Sequence, residues 1–163
     1  MLKRLVVAAG AALLVLSAAV PAVMAARPSR DYLATPDFIV FGAGEACAFP
    51  VRLDFLVNKE YGVTFSDADE NFVRQLIAGT LIVGLTNTTS GTSITIDISG
   101  PAVVIGHADG TTTFILRGNS LPFVPGRLYA TTGTVVQELD ENGDLLSTSS
   151  ATGTETDLCP ALS

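Results

Sequence analysis

The chain has 163 residues, 9 basic against 16 acidic side chains, a formal charge of −7, and hydrophobic and charged fractions of 48% and 15%. That length holds one domain with a real core, the composition excludes a disordered chain, and the acidity excludes a nucleic-acid binder, which needs cations to neutralise phosphates. One His and two Cys leave no set for a His- or Cys-rich zinc site.

Met1 to Ala25 read as an export signal. Lys3 and Arg4 precede an apolar run from Leu5 to Val20, Pro21 breaks it, and Val23-Met24-Ala25 presents acceptable residues at the −3 and −1 positions. Cleavage is expected after Ala25, with Ala26 as the neighbouring alternative. The competing reading is an uncleaved anchor, because the apolar stretch just reaches the length of a membrane span; Pro21 and the Ala-rich end favour cleavage. No Cys follows the run directly, which speaks against a lipid anchor. The mature protein is therefore expected to be secreted and extracellular. Loss of Lys3 and Arg4 leaves 7 basic against 16 acidic residues, a charge of −9. Such a chain is repelled by anionic headgroups, so no stable membrane insertion is expected after cleavage.

Residues 26–45 read as an irregular arm, broken by Pro28, Pro36 and Gly42-Ala43-Gly44, with Asp37 to Phe41 a short extended piece. Residues 46–163 read as a single antiparallel β-domain. Val51, Leu53 and Phe55 alternate with Arg52 and Asp54, and Tyr61, Val63 and Phe65 repeat the pattern beyond Asn58-Lys59-Glu60. Ser66 or Asp67 offers a helix cap, but Asn71 to Ile77 reads better as strand. Gly79 to Asn87 and Thr92 to Ile98 alternate around Thr88-Thr89-Ser90-Gly91, a hairpin signature. Gly100-Pro101 stops that strand. Ala102 to Ile105 and Thr111 to Arg117 flank Ala108-Asp109-Gly110. Pro122, Pro125 and Gly126 mark a longer loop, and Leu128 to Leu139 and Leu145 to Glu155 form a last hairpin around Asp140-Glu141-Asn142-Gly143.

Eight or nine strands joined by short links predict an all-β antiparallel meander. Closure removes exposed edges, so a closed up-and-down barrel is expected first and a two-sheet β-sandwich second. Cys47 and Cys159 bracket the domain. Two cysteines in an exported chain allow one pairing, and a disulfide is expected between them; two buried free thiols are the alternative.

Cys47-Ala48-Phe49-Pro50-Val51, Leu81 to Asn87, Ile98-Ser99-Gly100-Pro101, His107-Ala108-Asp109-Gly110, Thr132-Gly133 and the ending Thr156-Asp157-Leu158-Cys159-Pro160-Ala161-Leu162 together resemble a group of short exported bacterial proteins with a single cysteine pair. The resemblance spans nearly all of the mature domain. It implies a disulfide-stapled exported β-domain and carries no mechanism with it.

No catalytic, cofactor-binding or metal-ligating residue is assigned from the sequence, and no cofactor is expected. His107 is the only imidazole, and no Gly-x-Ser-x-Gly elbow accompanies it. Asp67-Ala68-Asp69-Glu70-Asn71 has oxygens at alternate positions, as calcium prefers. It departs from the EF-hand pattern at Phe72, where Gly is required, and at Ala78, where a carboxylate is. Asp140-Glu141-Asn142-Gly143-Asp144 is explained by its turn. Asn87-Thr88-Thr89 is a formal glycosylation acceptor, and Leu121-Pro122-Phe123-Val124-Pro125 lacks the Thr and hydrophobic tail of a sortase signal. There is no phosphate loop or dinucleotide fingerprint. The expected function is an exported, non-catalytic binding or interaction module, with a small apolar ligand in a barrel or a surface partner on the loops. One alternative is a small barrel enzyme (isomerase, cyclase or hydrolase) that gathers Arg52, Asp54, Arg117 or Tyr129 around His107. Another is a structural, envelope-associated protein that self-associates through open edges.

Overall fold

The computed structural model describes residues 27–163; the expected export signal, 1–25, lies outside them. Wherever β-branched and aromatic residues alternate with polar ones, the backbone is extended. The strands are β1 (Ser29–Tyr32), β2 (Phe38–Phe41), β3 (Val51–Asn58), β4 (Tyr61–Ser66), β5 (Phe72–Ala78), β6 (Leu81–Asn87), β7 (Ser93–Asp97), β8 (Ala102–Gly106), β9 (Thr112–Arg117), β10 (Tyr129–Thr131), β11 (Thr134–Leu139), β12 (Leu145–Thr152) and β13 (Glu155–Asp157), followed by a 3-10 turn at Pro160–Leu162. They form a seven-stranded sheet in the order β1-β4-β5-β8-β9-β11-β12, a four-stranded sheet β2-β3-β6-β7 and a pair β10-β13.

The registers show that these sheets share their strands. Asn58 faces Leu81 at the end of β3 and β6, and Tyr61 faces Ala78 at the start of β4 and β5. Residues 51–66 and 72–87 are therefore one long antiparallel ribbon that passes through both large sheets. The same continuity joins β7 and β8, where Asp97 faces Ile82 and Ala102 faces Ile77. It also joins β1 to β2 and, on the last hairpin, β10 to β11 and β13 to β12. Each run pairs with the next along the chain, as the meander requires.

Between the two halves the runs break along one line, a crease. Backbone bonds follow it across the molecule: Lys59 N–H to the Thr80 carbonyl at 2.8 Å, Gly100 to Asn119 at 2.7 Å, Gly118 to Gly133 at 2.8 Å and Thr132 to Thr154 at 3.1 Å. Backbone passes so near backbone here that four positions, Gly79, Gly100, Gly133 and Gly153, admit no side chain. Gly79 has φ of 147°, and a Cβ on it would fall on the Lys59 carbonyl; a Cβ on Gly133 would overlap the Thr152 carbonyl oxygen.

The closed up-and-down barrel is not formed. β1 and β12 remain the edges of the seven-stranded sheet, and β2 and β7 those of the four-stranded one. Closure needs the first and last strands to meet, whereas here the crease sends the two halves of each run into different sheets. The two-sheet alternative fits better. The same crease turns the expected eight or nine strands into thirteen among the described residues. Residues 26–45, expected to be irregular, carry β1 and β2, which pair with β4 and β3 at the sheet edges. Pro28 and Pro36 stand ahead of each strand, where their missing N–H costs no ladder bond. Residues 72–78 are strand, as the sequence favours.

The main core lies in the smaller half, where Val51, Leu53, Val83 and Leu85 meet Leu128, Leu158 and Leu162. Cys47 and Cys159 are joined, with Cα atoms 5.7 Å apart across a separation of 112 residues. The disulfide is consistent with an extracellular or other oxidising compartment. It holds the 3-10 turn against the core, and buried Asn87 assists by donating Nδ2–H to the Leu162 carbonyl at 3.0 Å.

Gly133→Ala is expected to lower stability by about 2–3 kcal/mol. Gly143→Ala, in an open turn where only a φ of 86° resists the change, should lose about 1 kcal/mol. Urea denaturation of both variants checks this, and equal losses would count against tight packing at the crease. The double variant Cys47→Ala/Cys159→Ala should lose about 4–5 kcal/mol from loop-closure entropy. A loss below about 1 kcal/mol would mean that the C-terminal turn packs without the bond.

Candidate functional site

The loop after β9 runs over the inner face of the four-stranded sheet and is fixed at two points along it. Gln137, buried on β11, donates Nε2–H to the Phe123 carbonyl at 2.6 Å and to Thr148 Oγ1 at 3.2 Å. Gly126 N–H reaches the Glu45 carbonyl at 2.7 Å. Pro122 and Pro125 stiffen the stretch around these points. Beneath the loop is a pocket of about 200 Å³ lined chiefly by Ile39, Phe41, Leu53, Phe55, Ile98 and Leu121. At its mouth the Phe41 and Phe123 rings stack with centroids 6.3 Å apart, and Phe123 is 57% exposed.

A second hollow of about 190 Å³ lies at the crease and shares Ile98 and Leu121 with the first. Ile77, Ala102, Phe114 and Leu116 form its wall on the seven-stranded sheet, and Glu60 and Ser120 also line it. Glu60 is half-buried, and burial pushes its carboxyl above the usual range. Ser120 is buried, and its Oγ is the one buried side-chain polar atom among the described residues without a hydrogen-bond partner. Together the hollows offer apolar walls with a polar group or two at one end, the usual make-up of a small-ligand site.

The residues singled out from the sequence lie elsewhere. His107 is exposed in the β8–β9 turn. Its Nε2 lies 2.7 Å from Thr113 Oγ1, which in turn donates to Glu138 at 2.8 Å. Arg117 lies at the opposite end of that hairpin, since Ala102 faces Leu116. Arg52 and Asp54 pair at 2.7 Å on the outer face of β3, with the guanidinium 4.1 Å over the Phe38 ring. Tyr129 is buried, and burial raises its phenol; Arg127 stacks on it at 4.4 Å. The structure does not bring these groups together around His107.

Asp67 accepts from Asn71 Nδ2 and from the backbone N–H of Asn71 and Asp69, which holds its carboxyl below the usual range. Asp140 is held down likewise, by the Asp144 N–H first and that of Asn142. Both acidic clusters are turns organised by their own backbone. Among the described residues no three His, Cys, Asp or Glu side chains gather as a metal site. Asn87, the formal glycosylation acceptor, is 4% exposed with its amide on the Leu162 carbonyl. That geometry closes it to modification in the folded chain.

Sequence reasoning misses Gln137, Glu60 and Ser120. Gln137 carried a usable signal, because it stands in the apolar phase of its strand between Val135 and Leu139. Glu60 is disguised as part of a polar turn, and Ser120 carries no local signal. Among the described residues no helix is long and apolar enough to cross a membrane. Comparison with protein-family models, curated proteins and solved structures finds no match to this chain.

The raised Glu60 carboxyl has a signed consequence. The folded state holds its proton to higher pH than the unfolded chain, so this group's contribution is intact below the ordinary Glu value of about 4.3 and is lost as pH rises through the folded value. Glu60→Gln should therefore raise Tm at pH 7, and the gain should vanish near pH 4. Thermal melts at the two pH values check it; a gain of equal size at both would argue against burial as the cause.

Proposed function

We propose that the protein is an exported, non-catalytic binding module that holds a small apolar ligand in the pocket beneath the 121–128 loop. The observation that carries the reading is the pocket itself: an aliphatic and aromatic wall behind a stacked Phe41–Phe123 mouth, under a loop tied down by Gln137. Hydrocarbon entering it leaves water at a gain of about 0.8 kcal/mol per methylene, so about six methylenes supply roughly 5 kcal/mol before ordering costs. Export is supported by the leader-like N-terminus, by the Cys47–Cys159 bond and by the resemblance to short exported bacterial proteins.

A structural, envelope-associated role through self-association has one observation in its favour. β2 is an open edge strand, and Phe38 and Val40 are 46% and 55% exposed on it. The aromatic ring of Phe38 is partly covered by Arg52, which leaves less apolar surface for strand pairing than the sequence of β2 alone would offer. The ligand-binding reading is therefore preferred.

Native mass spectrometry of the protein recovered from its host's medium tests both. The expected species is a monomer beginning at Ala26 that carries a non-covalently bound apolar molecule, lost in the pocket-filling variant Leu121→Trp. A bare monomer would overturn the ligand reading, a dimer would favour edge pairing, and retention of Met1 to Ala25 would overturn export in its cleaved form.

A further inference from the structure

The two hollows differ in what their polar side chains are doing. In the apolar pocket the polar members are Glu45 and Arg127, and both are committed: Glu45 accepts the Gly42 N–H at 2.6 Å, and Arg127 pairs with Glu155 at 3.0 Å. In the crease hollow neither polar side chain is engaged. Ser120 Oγ has no partner, and the cause that shifts Glu60 is burial, with no donor among the described residues on its carboxylate. Buried polar groups are normally satisfied, and one left over needs a reason. Ile98 and Leu121 line both hollows, so these two side chains are the partition that one occupant of both would have to pass.

We propose that the hollows together hold one elongated, uncharged amphiphile, with its hydrocarbon tail in the apolar pocket and a hydroxyl head between Ser120 and Glu60. This rests on the reading of the pocket as a ligand site and adds the chemistry of the ligand's other end. A hydroxyl matches both groups at once: its O–H donates to the Glu60 carboxylate and its oxygen accepts from Ser120 Oγ–H. A carboxylate head meets like charge at Glu60, and no Lys, Arg or His lines the crease hollow to offset it. An ammonium head would pair with Glu60 only after losing its strong hydration, and it offers the Ser120 hydroxyl proton no acceptor. The ligand class is thus a long-chain alcohol or another neutral lipid with a free hydroxyl.

Displacement of the apolar fluorophore N-phenyl-1-naphthylamine by 1-decanol, decyl methyl ether, decanoate and decylamine at pH 7 tests the proposal on the whole mature protein. The alcohol is expected to compete at least tenfold more strongly than the other three. On Ser120→Ala and Glu60→Leu the alcohol's competition, taken as a ratio to the ether's on the same variant, should fall to about one. Ser120→Ala is expected to fold normally, because removing an unpaired hydroxyl strands no partner, and its melting curve checks that. Equal competition by alcohol and ether, or tightest binding by decanoate or decylamine, would overturn the hydroxyl head and leave the apolar pocket standing. No binding of the fluorophore to the parent protein would overturn the pocket reading and this one together.

Discussion

A sheet that folds over on itself must let one backbone pass close to another, and in this protein that happens along a single line across the strands. The registers on either side of the line agree, so hydrogen bonding is continuous from the seven-stranded sheet into the four-stranded one. What changes at the line is direction. Residues without side chains, Gly79 and Gly133 above all, allow the close passage, and bonds such as Gly118 to Gly133 hold it. The core, the hollow at the crease and the placement of the 121–128 loop all depend on that turn. Without it the chain would be a flat meander with no interior.

The interior so made is unevenly filled. Leucines and valines pack the smaller half around the cysteine pair, while the seven-stranded sheet contributes few fully buried residues beyond Ala102, Val104, Val135 and Gln137. Two amides bridge the difference. Gln137 reaches from the large sheet to the loop, and Asn87 reaches from the small sheet to the last turn. Each ties a segment lacking regular structure to a strand, which lets a loop behave as a wall. On the outside, aromatic rings that would otherwise meet water lie under arginines: Tyr61 under Arg30 at 3.8 Å, Phe65 under Arg74 at 4.5 Å. Such contacts are worth about 0.5–1 kcal/mol each at exposed sites, and they keep the outer faces of an acidic domain from being plainly hydrophobic.

Much of this was legible in the chain. Alternation at Val51, Leu53 and Phe55 and at Ile94, Ile96 and Ile98 located strands, Asp140 to Gly143 located a hairpin turn, and two cysteines in an export context located the disulfide. The crease was not legible: Gly79 reads as the boundary between two strands, whereas Gly133 and Gly153 read as interior positions of single strands, so no one residue type marks the line. Gly79 and Gly133 interrupt continuity locally while the register across neighbouring strands preserves it, and register is a property of pairs. For the same reason β1, with only the polar text Ser29-Arg30-Asp31-Tyr32, was invisible: its backbone partner on β4 makes it a strand. Closure failed as an expectation because edge removal is only one way to protect a sheet. Of the pocket, the apolar residues were visible as strand faces, but which loop would cover them was not. Glu60 and Ser120 meet one wall only after folding.

The disulfide joins residues made at very different moments. Cys47 is synthesised 112 residues before Cys159, an interval of about 5–20 s at ordinary translation rates. Through that interval its partner does not exist, and neither do Leu158 and Leu162, which complete the hydrophobic centre around it. The strands up to β12 can find their neighbours as they emerge, since each pairs with the run just made. The centre of the smaller half cannot. Its final assembly waits for residues 158–162, and until they are made Cys47 has no native partner.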